Sequence, residues 1–245
     1  MVDIHCHVLP SVDDGAKDWD IALGMCALAA QDGTTHLVAT PHANDTYNYD
    51  RASHAAVLDE LQRRIGNKVQ LSLGCDFHFS FDNIEKALVH PHTYTIAGGT
   101  YLLVEFSDYA LSPATLKALD QFLRIGITPV ITHPERNLIL QRHPEMVLEM
   151  AEMGCAIQIT ASSFVGFWGD RSKKMSWKLL ERGAVHVIAS DAHDTKYRTP
   201  TLSAARAAIA KEAGEEVATA LAVDNPSAAL RSQPMPFFPV PAEKY

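Results

Sequence analysis

With 245 residues, 47% hydrophobic and 20% charged, the chain has the composition of a soluble globular protein and the length of one or two average domains. Its net charge of −8 gives no electrostatic footprint for nucleic acid or for an anionic membrane. No apolar run approaches the ~20 residues that span a bilayer, no signal peptide is visible, and Cys6, Cys26, Cys75 and Cys155 lack the spacing of a disulfide framework. A single cytoplasmic domain over residues 1–245, without membrane insertion, is the expectation.

Apolar runs at 2–4, 37–39, 69–75, 101–104, 129–131, 156–159 and 185–189 read as strands. Segments with helical periodicity lie between them, at 19–31, 51–65, 113–124, 144–153, 173–182 and 201–213, followed by a short helix at 223–230 and a proline-bearing surface tail at 234–241. Gly33, Gly66, Gly126, Gly154 and Gly183 supply left-handed stops after helices. Repeated strand–helix alternation implies parallel strands joined by right-handed crossovers. A seven-stranded TIM-like α/β barrel is preferred over the alternative, an open doubly wound sheet, because of what stands at the strand ends.

Those ends carry His5-Cys6-His7, Thr40-Pro41-His42, Asp76, Glu105, Thr132-His133, Thr160 and Ser190-Asp191-Ala192-His193. In a closed parallel sheet they would meet at one mouth. Residues two apart in a strand point the same way, so His5 and His7 can grip one metal while Cys6 turns away, and Asp191 with His193 repeats the spacing. Any single strand-end carboxylate is more often a cap or a solvated loop residue. Six of seven ends bearing His, Asp or Glu is a pattern that capping does not explain. Imidazole mixed with carboxylate, without a thiolate motif, points to manganese, iron or zinc, and so many ligands need at least two ions. His36 and His186 fall at strand starts, His54, His90, His92 and His143 are expected to face solvent, and His78 is a candidate for supporting a ligand.

Asp3-Ile4-His5-Cys6-His7, Asp13-Asp14-Gly15, Ala39-Thr40-Pro41-His42, His133-Pro134-Glu135-Arg136 and Ser190-Asp191-Ala192-His193 resemble the motifs of the polymerase and histidinol phosphatase superfamily, in order, from residue 2 to about residue 230. Within it the chain is most similar to the metal-dependent bacterial protein-tyrosine phosphatases of capsule and exopolysaccharide clusters. The resemblance implies a distorted seven-stranded barrel with two to three divalent ions at the C-terminal ends of the strands, manganese foremost, with iron, zinc, cobalt or magnesium as alternatives. It assigns His5, His7, Asp76 and Asp191 to the first ion, Asp76, Glu105 and His133 to the second, and His42 and His193, helped by Asp14, to the third. Asp76 stands where the family usually has glutamate, so a bridge would be made with one methylene fewer. The implied substrate is a phosphotyrosyl protein, a bacterial tyrosine autokinase.

Phosphomonoester hydrolysis suits these parts, because metals ~3.5 to 4 Å apart acidify a shared water and neutralise phosphoryl oxygens. Arg136 and Arg198 sit on loops at the expected mouth and can fork onto phosphate; with Asp191 and His193 they form the expected catalytic set. A cysteine-based mechanism is excluded, since an arginine six positions on is needed and Val12, Asp32, Phe81 and Ala161 stand there. Tyr47, Tyr49, Phe164, Phe167 and Trp168, in loops at 44–50 and 162–169, either line a phenyl slot, pack over the barrel end or form an oligomer contact. Two other readings stay open: a hydrolase of histidinol phosphate, another small phosphomonoester or a C–N bond, and a non-catalytic metal-binding regulatory protein. The sequence does not specify an oligomeric state.

Overall fold

Each short apolar run is too brief to bury both faces alone and finds its partners in parallel neighbours. The chain runs β1 (Val2–Cys6), α1 (Trp19–Gln31), β2 (His36–Ala39), β3 (His42–Ala43), α2 (Arg51–Ile65), β4 (Gln70–Leu73), β5 (Asp76–His78) and α3 (Phe81–Val89). It continues with β6 (Tyr101–Glu105), α4 (Thr115–Arg124), β7 (Thr128–Thr132), α5 (Pro144–Glu152), β8 (Ala156–Thr160), α6 (Ala161–Phe164) and α7 (Gly169–Glu181). β9 (Val187–Ala189), α8 (Ser203–Ala213), α9 (Glu215–Thr219) and α10 (Asn225–Leu230) complete it. The computed structural model describes residues 1–109 and 111–241, so the single-domain expectation also covers Ala110 and residues 242–245, which lie outside the described residues.

All pairings are parallel, but the strands form two sheets, ordered β1-β2-β4 and β3-β5-β6-β7-β8-β9. Seven strands were expected and nine are found among the described residues, because pairing resumes past Thr40-Pro41 after the second run and past Gly74-Cys75 at the end of the third. Proline has no N–H to offer a ladder. Hydrogen bonds from Gly74 N–H to the Ala39 carbonyl (2.8 Å) and from Asp76 N–H to the Pro41 carbonyl (3.1 Å) carry the pairing across both breaks. His42 and Asp76 consequently open β3 and β5 in mutual register instead of trailing the preceding strands.

The outer strands of the array also meet. An isolated parallel bridge joins Cys6 to Ala192, with His7 N–H donating to the Ala192 carbonyl (2.8 Å) and Asp191 N–H to the His5 carbonyl (2.9 Å). This stitch places His5-Cys6-His7 beside Asp191-Ala192-His193.

Alternation along the strands divides the core. Tyr101 and Leu103 of β6, Val130 of β7, Ala156 of β8 and Val187 and Ala189 of β9 join Val2, Ile4 and Val38 in one cluster, covered by Ala228 and Ala229 of α10. Their neighbours Leu102, Val104, Ile131, Ile157, Ile159 and Ile188 pack instead with Leu119 and Phe122 of α4, Met150 of α5 and Ile209 of α8. This split, with one apolar set facing inward and another facing a helical coat, is the packing of a small barrel.

α3 was not expected, since only Ala87 of its nine residues is fully buried and its periodicity is short. His54 was expected in solvent and is buried, because it shares the inward stripe of α2 with Leu58, Leu61 and Ile65. His90, His92 and His143 are exposed, as expected.

His186, just before β9, accepts a hydrogen bond at Nδ1 from Ile157 N–H (3.0 Å), and its Nε2 donates to the Pro239 carbonyl (3.1 Å), which fixes a neutral tautomer. Burial pushes its pKa down to about 4, against a partial opposing effect of the Pro239 carbonyl. Between pH 4 and about 6.5 the unfolded chain therefore binds the extra proton, so this group's contribution to stability is present above about 6.5 and is lost as pH falls through 4. We expect the His186 ring resonance to stay neutral down to about pH 4 in an NMR titration; an inflection near 6.5 would contradict this.

Candidate metal centre

β1 supplies His5, which is fully buried and fixed by Gln158 of β8, whose amide oxygen lies 2.9 Å from Nδ1. His7, just past β1, is fixed through its own Nδ1 by Asp13 Oδ2 at 2.7 Å. Both partners are acceptors, so both Nδ1 atoms hold the hydrogens and both Nε2 lone pairs are left facing inward. Those two Nε2 atoms are 3.3 Å apart. Two lone pairs at that distance repel unless a proton or a metal ion lies between them.

Asp76 and Asp191 supply the negative charge. The carboxylate of Asp76 is buried, neither of its oxygens has a hydrogen-bond donor among the described residues, and Oδ2 lies 3.5 Å from His5 Nε2, 3.9 Å from His7 Nε2 and 3.2 Å from His42 Nδ1. Asp191 divides its two oxygens. Oδ1 is 3.5 Å from Nε2 of both His5 and His7, whereas Oδ2 accepts from Arg198 Nη2 at 2.6 Å and from Arg136 Nη1.

Among the described residues there are three sets whose donor atoms lie, within each set, within 4.8 Å of one another: His5, His7 and Asp76; His42, Asp76 and Glu105; and His7, Asp14, His42 and His193. A buried carboxylate with unpaired oxygens, converging imidazole lone pairs and no thiolate is a donor set that fits divalent ions of the manganese, iron or zinc kind. Asp76 belongs to two sets, the placement that a bridging carboxylate requires. Asp14 contributes from the half-exposed rim, with Oδ1 3.4 Å from His42 Nε2 and 3.5 Å from His193 Nε2. His133 Nε2 lies 3.7 Å from Glu105 Oε1, and His42 joins Glu105 and Asp76 in their set. His78 Nδ1 approaches Glu105 Oε2 only to 3.9 Å.

The electrostatics express the same demand for positive charge. Burial alone would raise Asp76 and Asp191, yet His5 and His42 hold Asp76, and Arg136, His5, His7 and Arg198 hold Asp191, well below the usual carboxylate range. Burial would likewise depress His42, but Asp14, Asp76 and Glu105 push it up to about 12, and Asp13 and Asp191 raise buried His7 to about 9. Burial and Arg136 push His133 down to about 3, and burial with His7 pushes His193 down to about 4, so both are neutral and suited to donating a lone pair. His133 and Asp191 also adopt φ of 34° and 50°, a costly region for residues with a side chain that persists where the surroundings enforce it.

Gln158 and Asp13 are the supports that sequence reasoning missed. Gln158 could have been found as a polar residue alternating with Ile157 and Ile159 in a buried strand. Asp13 entered only within the Asp13-Asp14-Gly15 motif, without a role of its own, yet it accepts from Gly15 N–H (3.0 Å) and from His42 N–H (3.2 Å) as well as holding His7.

The family described as capsular polysaccharide synthesis, CpsB/CapC, matches residues 1–231. The chain belongs to the CpsB/CapC family. It is 34% identical over 238 residues to tyrosine-protein phosphatase YwqE of Bacillus subtilis, covering 95% of this chain and 92% of that one. It is 32% identical over 242 residues to tyrosine-protein phosphatase CpsB of Streptococcus pneumoniae, covering 95% and 99%. A crystal structure from the work on YwqE and CpsB, described as unique metal-dependent tyrosine phosphatases, superposes over 100% of both chains with a TM-score of 0.92 and 30% identity. Members of this family thus share the whole length over which the candidate ligands are spread.

Gly15 explains how the Asp13-Asp14-Gly15 turn reaches the histidines. A Cβ at Gly15 would lie 2.1 Å from the His7 carbonyl oxygen and 2.4 Å from His7 Cβ, neither of which can yield. Gly15→Ala should push the turn off His7, release the Asp13 bond and weaken manganese binding about 10- to 100-fold, as loss of a ligand's supporting bond commonly does. Titration of the metal-stripped variant by calorimetry checks this, and wild-type affinity would contradict it.

Proposed function

We propose that this chain is a metal-dependent protein-tyrosine phosphatase of the cytoplasm, acting on phosphotyrosyl side chains of a bacterial tyrosine autokinase that regulates polysaccharide assembly. The observation that carries the reading is the division of Asp191: one oxygen belongs to the histidine cluster and the other to Arg136 and Arg198. Metal-binding side chains and phosphate-binding side chains therefore share a single anchor. Family membership and the tyrosine phosphatase names of YwqE and CpsB supply the substrate class.

We assign His5, His7, Asp76 and Asp191 to one ion, Asp76 and Glu105 with His133 to a second, and His42, His193 and Asp14 to a third; the convergence of His42 with Asp76 and Glu105, and of His7 with Asp14, His42 and His193, supports this grouping. When bound, two or three divalent ions, manganese foremost, with iron, zinc, cobalt or magnesium as alternatives, would supply Lewis-acid charge neutralisation and activation of water. Arg136 and Arg198 lie at the same mouth, and guanidinium N–H donors suit the non-bridging oxygens of a phosphoryl group. Glu105, 23% exposed, and half-exposed Asp14 lie nearest solvent among the carboxylates and leave the entry side polar. A tyrosyl leaving group, with a phenol pKa near ~10, needs less protonation than an alkoxide, so no dedicated strong acid is required.

Thiol chemistry has no place here. All four cysteines are free and buried; burial holds Cys6 and Cys75 well above the ordinary thiol range and pushes Cys26 and Cys155 up to about 12. Among the described residues no helix is long and apolar enough to cross a membrane.

The manganese-loaded protein should hydrolyse phosphotyrosyl peptides at least about tenfold faster, in kcat/KM, than phosphoseryl peptides or histidinol phosphate, and iodoacetamide should leave the rate unchanged. Steady-state phosphate release on the three substrates tests this. Faster turnover of histidinol phosphate would move the chain to the small-substrate phosphatases, and no turnover under a broad metal screen would favour a regulatory role.

A further inference from the structure

Arg136 and Arg198 come from the loops after β7 and β9 and converge on one oxygen, Asp191 Oδ2. Two guanidinium charges on a single oxygen repel, and the other oxygen of Asp191 is committed to His5 and His7. The carboxylate alone does not set the orientation of both cations. Trp168, in the loop after β8, lies between them in strand order.

The guanidinium carbon of Arg136 is 3.8 Å from the Trp168 ring centroid, and that of Arg198 is 5.5 Å from it. Indole is the strongest cation–π partner among the side chains, and both cations are within its range. The ring is itself held: Nε1–H donates to Ser162 Oγ at 3.0 Å, and Phe167 packs against it edge-on, with centroids 5.2 Å apart. Glu135, beside Arg136 and fully buried, accepts from Ser163 Oγ at 2.6 Å and from Thr160 N–H at 3.1 Å. The loop that carries Arg136 is thereby tied to the same turn that carries Trp168. Trp168 also walls a cavity of about 230 Å³ together with Glu105, His133 and Arg136, so the platform borders the candidate metal centre.

We infer that Trp168 is a positioning residue whose indole face is the shared platform that spreads and orients Arg136 and Arg198 for a phosphoryl group. The inference rests on the phosphatase reading. It adds a determinant that the arginines themselves do not reveal: aromaticity at position 168, not merely bulk.

The test compares Trp168→Phe, Trp168→Leu and Trp168→Gln with the wild type, all manganese-loaded and with metal content and thermal midpoint recorded. Binding of inorganic phosphate is measured by calorimetry, and turnover on a phosphotyrosyl peptide is measured in parallel. The leucine and glutamine forms should bind phosphate about tenfold more weakly, with the loss in turnover falling mainly on KM and the metal content unchanged. The phenylalanine form should recover most of the affinity, because it keeps an aromatic face. Wild-type phosphate affinity in the leucine and glutamine forms, or a phenylalanine form as weak as leucine, would overturn the role of Trp168 while leaving wild-type turnover and the phosphatase reading intact. A wild-type protein that neither turns over the peptide nor binds phosphate would overturn both.

Discussion

Two buried carboxylates, Asp76 and Asp191, impose the constraint on which the rest of the site depends. An unpaired buried charge costs several kcal/mol, and two placed around the same histidines are tolerable only if positive charge is brought to them. The chain provides it from two directions. His5, His7 and His42 approach from one side with lone pairs or protons, and Arg136 and Arg198 approach from the other. Bound metal ions would complete that balance without requiring the imidazoles to be protonated, and neutral His133 and His193 could then take part in the same cluster.

The architecture serves this balance by interrupting its own strands. A continuous second strand would carry His42 onward in the ladder of β2, and a continuous third would bury Asp76 among aliphatic side chains. The breaks at Thr40-Pro41 and Gly74-Cys75 restart both as short paired strands whose first residues, His42 and Asp76, face each other. The stitch between Cys6 and Ala192 does the corresponding work on the other side, bringing residues almost two hundred positions apart in the chain into one cluster. Polar groups at the end of a barrel cost little there, because the apolar packing is concentrated in the layers below.

Much of this was legible in the chain. The two-residue spacings of His5/His7 and Asp191/His193, and the placement of Glu105 and His133 at the ends of apolar runs, follow from strand periodicity, and the structure brings them together. The restarts were not legible: Pro41 and Gly74 mark the interruptions locally, but the resumed pairing of His42 with Asp76 is set by hydrogen bonds to Ala39 and Pro41 from residues distant in sequence. Gln158 and Asp13 were missed for a related reason. Neither is a metal ligand by type and position, and their role appears only when the second nitrogen of each histidine is followed to its partner. His54 was misplaced because its helix buries a stripe in which histidine fills an apolar position.

The proposed metal centre turns on Asp76, whose place in two donor sets would let it neutralise and join two metal positions at once. Replacing it with asparagine removes the charge while keeping nearly the same volume. Metal analysis of purified, manganese-loaded Asp76→Asn, set beside the wild type and read with its phosphotyrosine turnover, tests this most directly. The expected result is lowered metal occupancy at two positions at once relative to wild type, together with near-complete loss of turnover. Full occupancy with normal turnover would contradict it and would make Asp76 a bystander.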